Sequence, residues 1–367
     1  MSMQPYSVLV VDDSALMRNL VGRVFEHDPQ TMLAGKAMNG KFALQKIESL
    51  KPEVIVLDLE MPEMNGIQFL EELKRRGIDI PVVVLSSVAH SGAKITMEAL
   101  ALGASEFVLK PSGSVSPDIA KVAEELLQLV KSLGAAHRDK HGEPDRPLLA
   151  KAPAAKPAPR PTTPAPVVRP AVQAGPIEVV AIGISTGGPN ALRKVFAQLP
   201  GDLPAAVLIV QHMPPGFTTE FAKSLDRVSQ LRVKEAEEGD RITPGVALVA
   251  PGDYHLSAVR KAGAVVAHVS QEAPQNGHRP SADALFSSVA KVYENRALGV
   301  IMTGMGKDGA KELGSILKAG GLTLGQNEAS SVVYGMPRVA HELGHVETQV
   351  PLHEVADTIT RLVCKHQ

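Results

Sequence analysis

Four short runs of almost unbroken apolar residues, SVLVVDD, VIVLDLE, PVVVLSS and EFVLKP, constrain what the first third of the chain can fold into. Each is rich in Val, Ile and Leu, too short for a helix, and set apart from the next by amphipathic text such as KFALQKIESL. Strands buried on both faces read this way, and the amphipathic segments are the helical crossovers that parallel neighbours require. A doubly wound parallel α/β domain follows. After residue 177 the pattern returns as EVVAIGIS, AAVLIVQHM and LGVIMTGMG. A middle stretch, PGVALVAPGDYHLSAV with AVVAHVS, reads instead as short strands joined by turns around Pro251-Gly252. The second unit is therefore expected to be Rossmann-like, a parallel α/β sheet carrying a β-hairpin insertion.

Between the two, residues 134–176 lose all periodicity and fill with proline and alanine, as in KAPAAKPAPRPTTPAPVVRP. Such text cannot bury enough apolar surface to offset its ordering entropy, so it predicts an extended linker. The expected organisation is a first domain over 1–133, the linker over 134–176 and a second domain over 177–367. Lys and Arg together number 38 against 39 Asp and Glu, a balance that gives no reason to expect a nucleic-acid partner. The single cysteine, Cys364, excludes an intramolecular disulfide and a thiolate-rich metal site, which suits the cytoplasm. No apolar run approaches membrane-spanning length and the first residues lack a secretory pattern, so no membrane insertion is expected.

In a doubly wound sheet, ligands sit beyond the carboxyl ends of the strands. Three runs of the first domain end there in Asp12-Asp13, Asp58 and Ser86, and a fourth in Lys110. Carboxylates are hard oxygen ligands suited to Mg2+, and a lysine beside them offsets charge on phosphoryl oxygens while Asp58 attacks in line. Any one of these groups is also an ordinary solvated loop residue in many proteins. Together, VVDDSALMR, VIVLDLEMPEMNG, VVVLSS and FVLKP, from about Val8 to the helix ending near Leu133, resemble the receiver domain of bacterial two-component response regulators. The resemblance implies that Asp58 accepts phosphate from a histidine kinase, with Asp12, Asp13, Asp58 and the Glu60 carbonyl around Mg2+. It also implies that Ser86 and Lys110 are the switch hydroxyl and lysine, and that Phe107 is an aromatic that reorients on phosphorylation; its alternative is core packing.

The second domain opens with GISTGGP, for which two chemistries compete. A dinucleotide fingerprint needs G-x-G-x-x-G and an acid after the next strand, but Ser185 stands at the second glycine and that strand ends in Gln211-His212. A nucleophile elbow needs a base and an orienting acid. His212 closes the very next strand and Asp308 follows a later one, so one sheet rim would collect all three. The order Ser185, His212, Asp308 differs from the serine, acid, histidine order of α/β-hydrolases. Serine in a Gly-rich turn also caps helices, and histidine at a strand end is also simply structural.

GISTGGP, VQHMPPGFT, APGDYHL, HRPSADALFSSVA, TGMGKDGA and NEASSVVYGMP resemble the catalytic domain of the chemotaxis protein-glutamate methylesterase family, across Ile177 to Leu362. The resemblance implies a triad of Ser185, His212 and Asp308, with no cofactor for the hydrolysis. Its substrate would be methylated glutamates on chemoreceptor cytoplasmic helices, with glutamine deamidation as a second activity. The Met305 amide is the expected oxyanion donor, and Thr186 either orients the histidine or caps the first helical turn. His255, His278 and Arg279 fall in segments that resemble the family's cleft wall, without an assigned role. HELGH, His341 to His345, fits the H-E-x-x-H zinc pattern with His353 as a third ligand, but Gly344 predicts a helix end that would carry His345 off the shared face.

Overall fold

The structure is a computed structural model describing residues 4–87, 90–110, 118–142 and 175–365. It divides into two compact units, Met1–Pro161 and Thr162–Gln367. The first is a five-stranded parallel sheet of β1 (Tyr6–Val11), β2 (Thr31–Ala37), β3 (Val54–Asp58), β4 (Val82–Ser86) and β5 (Glu106–Leu109), in the order β2-β1-β3-β4-β5. Every residue of β1, β3 and β4 is buried, as expected for strands covered by helices on both faces. Burial of side chains such as Ile55, Leu57 and Leu85 stabilises the sheet by about 1.5–3 kcal/mol each.

The last helix of this unit, Asp118–His141, continues past Leu133, where helical text was expected to end. The cause is tertiary: Arg138 ion-pairs with buried Glu53 and donates to the carbonyls of Gln4 (2.7 Å) and Pro5 (3.0 Å), with its guanidinium over the Tyr6 ring. That contact fastens the helix to the start of β1. Linker residues 143–174 lie outside the described residues.

The second unit holds a seven-stranded, all-parallel sheet. Its strands are β6 (Val179–Ile184), β7 (Ala206–Gln211), β8 (Arg232–Glu235), β9 (Val246–Val249), then β12 (Ala297–Ile301), β13 (Leu322–Gln326) and β14 (Thr348–Val350). The order is β14-β13-β12-β6-β7-β9-β8. Between β9 and β12 lies the antiparallel hairpin of β10 (His255–Lys261) and β11 (Ala264–Ser270). The expected insertion is therefore present, but Val246–Val249 belongs to the main sheet, and Pro251-Gly252 links that sheet to the hairpin. The hairpin's own turn is Ala262-Gly263, both with positive φ. Leu256, Ala258 and Ala267 of the hairpin enter one core with Leu285, Phe286 and Val289 of the helix Ala282–Tyr293.

The chain runs from β6 to β7 along one edge of β6, while β12 pairs along its other edge. The end of β6 is thus a topological switch point, where a crevice opens at the carboxyl rim. Ser185 follows that strand.

Candidate functional site

In the first domain the strand ends bring the predicted side chains together. Lys110 Nζ lies 2.7 Å from Asp58 Oδ2 and 3.3 Å from Asp12 Oδ2. Carboxylate oxygens of Asp12, Asp13 and Asp58 fall within 4.8 Å of one another. Asp12 is fully buried; that burial, with the Asp58 charge, raises its carboxyl pKa against the opposing pull of Lys110. Burial works against the charge on Lys110, but its bonds and attraction to Asp58 and Asp12 prevail and its pKa is raised. Asp12 Oδ2 is buried and makes no well-formed hydrogen bond, its charge partner being the Lys110 ammonium at 3.3 Å, and the converging Asp12, Asp13 and Asp58 oxygens are hard donors, so these residues fit Mg2+. Glu60 donates its backbone N–H to Asp58 Oδ1 at 3.3 Å and its side chain is exposed.

A cleft beside Asp58 is lined by Glu60, Ser86, Ser87, Gly92, Ile95 and Lys110. The Ser86 hydroxyl, however, is engaged elsewhere, 2.6 Å from Thr96 Oγ1, which itself donates to the Gly92 carbonyl. Phe107 sits half-buried on β5, paired with Val84 of β4. Gly66, which sequence reasoning left without a role, starts the helix Gly66–Arg76 so close to β3 that a Cβ would lie 2.6 Å from the Asp58 carbonyl oxygen.

In the second domain, Ser185 and His212 cap neighbouring strands: Ile184 pairs with Gln211, and the His212 amide donates to the Ile184 carbonyl. Ser185 is fixed by its backbone, donating N–H to Thr303 O (3.0 Å) and accepting from Gly188 N (2.8 Å) and Gln211 Nε2 (2.9 Å) on its carbonyl. Its surroundings are glycines because nothing larger fits. A Cβ on Gly304 would lie 2.8 Å from the Ser185 Cβ, and one on Gly188 would lie 1.9 Å from Gln211 Oε1. The elbow does not use serine as a cap: the N-cap of the helix Gly188–Phe196 is Gly187 in the left-handed region. Thr186 supplies no cap either, and its carbonyl accepts from Thr303 Oγ1.

His212 Nε2 lies 2.8 Å from Asp308 Oδ2. The other ring nitrogen, Nδ1, is buried without a hydrogen-bond partner. An ionised carboxylate only accepts, so Nε2 carries the proton and Nδ1 holds the basic lone pair. Asp308 is 1% exposed and fully satisfied. Oδ2 also accepts from the Ala282 amide at 2.6 Å, at the N-terminus of the helix Ala282–Tyr293, while Oδ1 accepts from Ser281 Oγ (2.6 Å) and Asn276 Nδ2 (2.9 Å). Burial alone would raise its pKa, yet His212, Ser281 and Asn276 together hold the carboxyl well below the usual carboxylate range. The acid therefore stays charged throughout the neutral range.

Met305 lies in the turn after β12, 44% exposed, and its N–H makes no hydrogen bond among the described residues. Of the three cleft-wall residues, His278 stacks on His212. His255 is buried with Nε2 on the Ala273 carbonyl at 3.2 Å, and Arg279 pairs with Asp253 and donates to the carbonyls of Gln271 and Glu272. The last two fasten the 271–280 loop. Asn276 and Ser281 were missed: the sequence marks a turn and a cap at these positions, but not that both point at the acid. The HELGH segment ends its helix at Glu342, with Gly344 at φ 70°, and His345 Nδ1 bonds the Ala310 carbonyl. Among the described residues no metal-type cluster includes it.

Residues 180–359 match the family described as CheB methylesterase, and residues 8–116 match the response regulator receiver domain. The chain is 53% identical to the protein-glutamate methylesterase/protein-glutamine glutaminase of Treponema denticola, over 98% of each. It is 41% identical to that of Pyrococcus horikoshii, over 97% of this chain and 93% of the relative. The crystal structure of the Thermotoga maritima CheB methylesterase catalytic domain is similar at a TM-score of 0.50 and 38% identity, covering 51% of this chain and 99% of that one.

Proposed function

The chain belongs to the CheB methylesterase family, and we propose that it is a phosphorylation-activated serine hydrolase that removes methyl groups from glutamate γ-methyl esters of chemoreceptors. Glutamine deamidation at the same receptors is the second activity, and the biological output is sensory adaptation in chemotaxis. One observation carries the reading: His212 is held through Nε2 by a buried, charged Asp308, with Nδ1 bare at the strand end next to Ser185.

Ser185 Oγ attacks the γ-carbonyl carbon as its proton passes to His212 Nδ1, and the oxyanion so formed takes the free Met305 N–H. His212 returns the proton to the departing methoxide, giving methanol and an acyl-enzyme. Water, deprotonated by His212, then cleaves the acyl-enzyme to glutamate and free serine. Asp308 holds the imidazole tautomer throughout and compensates the imidazolium charge.

In the receiver, Asp12, Asp13, Asp58 and the Glu60 carbonyl would hold Mg2+, which offsets charge on the phosphoryl oxygens during transfer from a histidine kinase. Asp58 is the acceptor, and Lys110 neutralises the product. Ser86 then leaves Thr96 to bond the acyl phosphate, with Phe107 as the aromatic that follows. Phosphorylation relieves occlusion of the catalytic cleft by the receiver, a population shift that needs only a few kcal/mol of differential contact. Methanol release from methylated receptor membranes tests the whole reading. It should require Ser185 and rise with a small phosphodonor and magnesium; release that persists in Ser185→Ala would overturn it.

A further inference from the structure

The stretch Gln275-Asn276-Gly277-His278 is a two-residue hairpin turn. The Gln275 N–H donates to the His278 carbonyl at 3.0 Å and the His278 N–H to the Gln275 carbonyl at 2.9 Å. Asn276 and Gly277 have φ of 52° and 81°, the left-handed pair of a type I′ turn, for which Asn-Gly is the favoured sequence. Residues 271–277 are all exposed. A turn on the surface needs no inward contacts, yet two side chains of this one reach the triad.

Asn276 Nδ2 donates to Asp308 Oδ1 at 2.9 Å and to Asp283 Oδ2 at 2.6 Å, so one amide group separates two carboxylates. His278 lies flat on the His212 ring, with centroids 4.0 Å apart and planes 4° apart. Besides His212, Asp308 has partners from the framework: Ser281 and Ala282 begin a buried helix whose core side chains are Leu285, Phe286 and Val289. Asn276 is the donor that comes from the turn, and it is also the group that keeps Asp283 and Asp308 from facing each other bare. Burial and the Asp308 charge already raise the Asp283 pKa.

We propose that Asn276 is a positioning residue of the esterase, its amide clamped between Asp283 and Asp308 so that Asp308 keeps the orientation in which it holds His212. The inference rests on the triad assigned above and deepens it. Without the amide, Asp308 Oδ1 loses one of its two short donors and is left facing the like charge of Asp283 with no donor between them. The carboxylate then rotates, and His212 loses the angle it needs toward Ser185.

Two substitutions keep the turn while changing the contact. Asn276→Gly tolerates the left-handed backbone and removes the amide. Asn276→Asp tolerates it too, but places a carboxyl among Asp283, Asp308, His212 and His278. The readout is the rate at which a fluorophosphonate probe labels Ser185 in the full chain from pH 5 to 8, beside methanol release and thermal melting. Asn276→Gly should slow labelling by about 10- to 100-fold at every pH, with melting little changed. Asn276→Asp should be slower still at pH 8, and its deficit relative to wild type should shrink toward pH 5 as the new carboxyl takes a proton and donates again. Wild-type rates in both variants, or equal deficits with no pH dependence between them, would overturn the proposal. A wild type that labels at Ser185 without releasing methanol sinks the substrate reading alone, while a wild type that fails to label sinks the triad and this inference together.

Discussion

The His212 ring lies parallel to that of His278, 4.0 Å between centroids. Stacking at that distance restricts rotation about the imidazole's own axis, which a single hydrogen bond to Asp308 leaves free. His278→Ala should therefore lower kcat for methanol release several-fold with a smaller change in KM, and His278→Phe, which keeps a flat ring there, should recover most of the loss. Equal losses in both variants would mean that the stack does not orient the base.

Asp308 is ionised because its donors outweigh its burial. Asp308→Asn should cut kcat by about 10⁴, the size expected when a triad acid becomes an amide. A carboxyl with a depressed folded-state pKa contributes stability above its unfolded pKa of about 3.9 and loses it as pH falls through the folded value. Wild-type stability in urea should thus drop below about pH 4 more steeply than that of Asp308→Asn.

Gly304 leaves no room for a side chain: a Cβ would lie 2.4 Å from Met336 Sδ and 2.8 Å from Ser185 Cβ. Methionine can yield, but the serine elbow cannot move without carrying the nucleophile with it. Gly304→Ala should lose most Ser185 labelling and cost about 1–3 kcal/mol in chemical denaturation. Full labelling would show that the elbow relaxes freely.

The Ser86 hydroxyl is held by Thr96 at 2.6 Å. Reaching an acyl phosphate on Asp58 means giving up that bond, a difference of about 1 kcal/mol. Thr96→Val should lower the phosphodonor concentration for half-maximal esterase stimulation by about fivefold, read by methanol release at fixed magnesium. An unchanged midpoint would mean Thr96 does not restrain the switch.

Chelating magnesium should abolish stimulation by phosphodonor while leaving basal methanol release intact, because the carboxylates that fit the ion, Asp12, Asp13 and Asp58, lie in the receiver and the proposed esterase steps run through Ser185, His212 and Asp308. Asp58→Asn should behave the same way with magnesium present. Loss of basal release on chelation would count against this division of labour.

The receiver's acidic edge was legible because its side chains end nearly unbroken apolar strands, and strand ends in a parallel sheet converge whatever the helices do. Ser185 and His212 were readable for the same reason. β8 and β14 were not: RVKE and TQV are short and polar, and it is their place at the sheet's two edges that makes them strands. The continuation of Asp118–His141 was hidden too, since Arg138 finds Glu53 only once the sheet exists. The turn at Asn276 was passed over although Asn-Gly favours one, and a turn's sequence says nothing of what its side chain will touch.

The sheet order β12-β6-β7 places the strands before the proposed acid, Asp308, and the proposed base, His212, on opposite sides of the strand before the proposed nucleophile, Ser185. An imidazole is attached beside Nδ1, so Nδ1 is its near end and Nε2 its far end. Reaching past a strand to Asp308 requires the far end, which leaves the near end for the adjacent serine. In the chymotrypsin-type relay the acid takes Nδ1 instead. Strand adjacency, and not the identity of the three residues, decides which way round the relay is wired, so a template keyed to atom names would pass over this site.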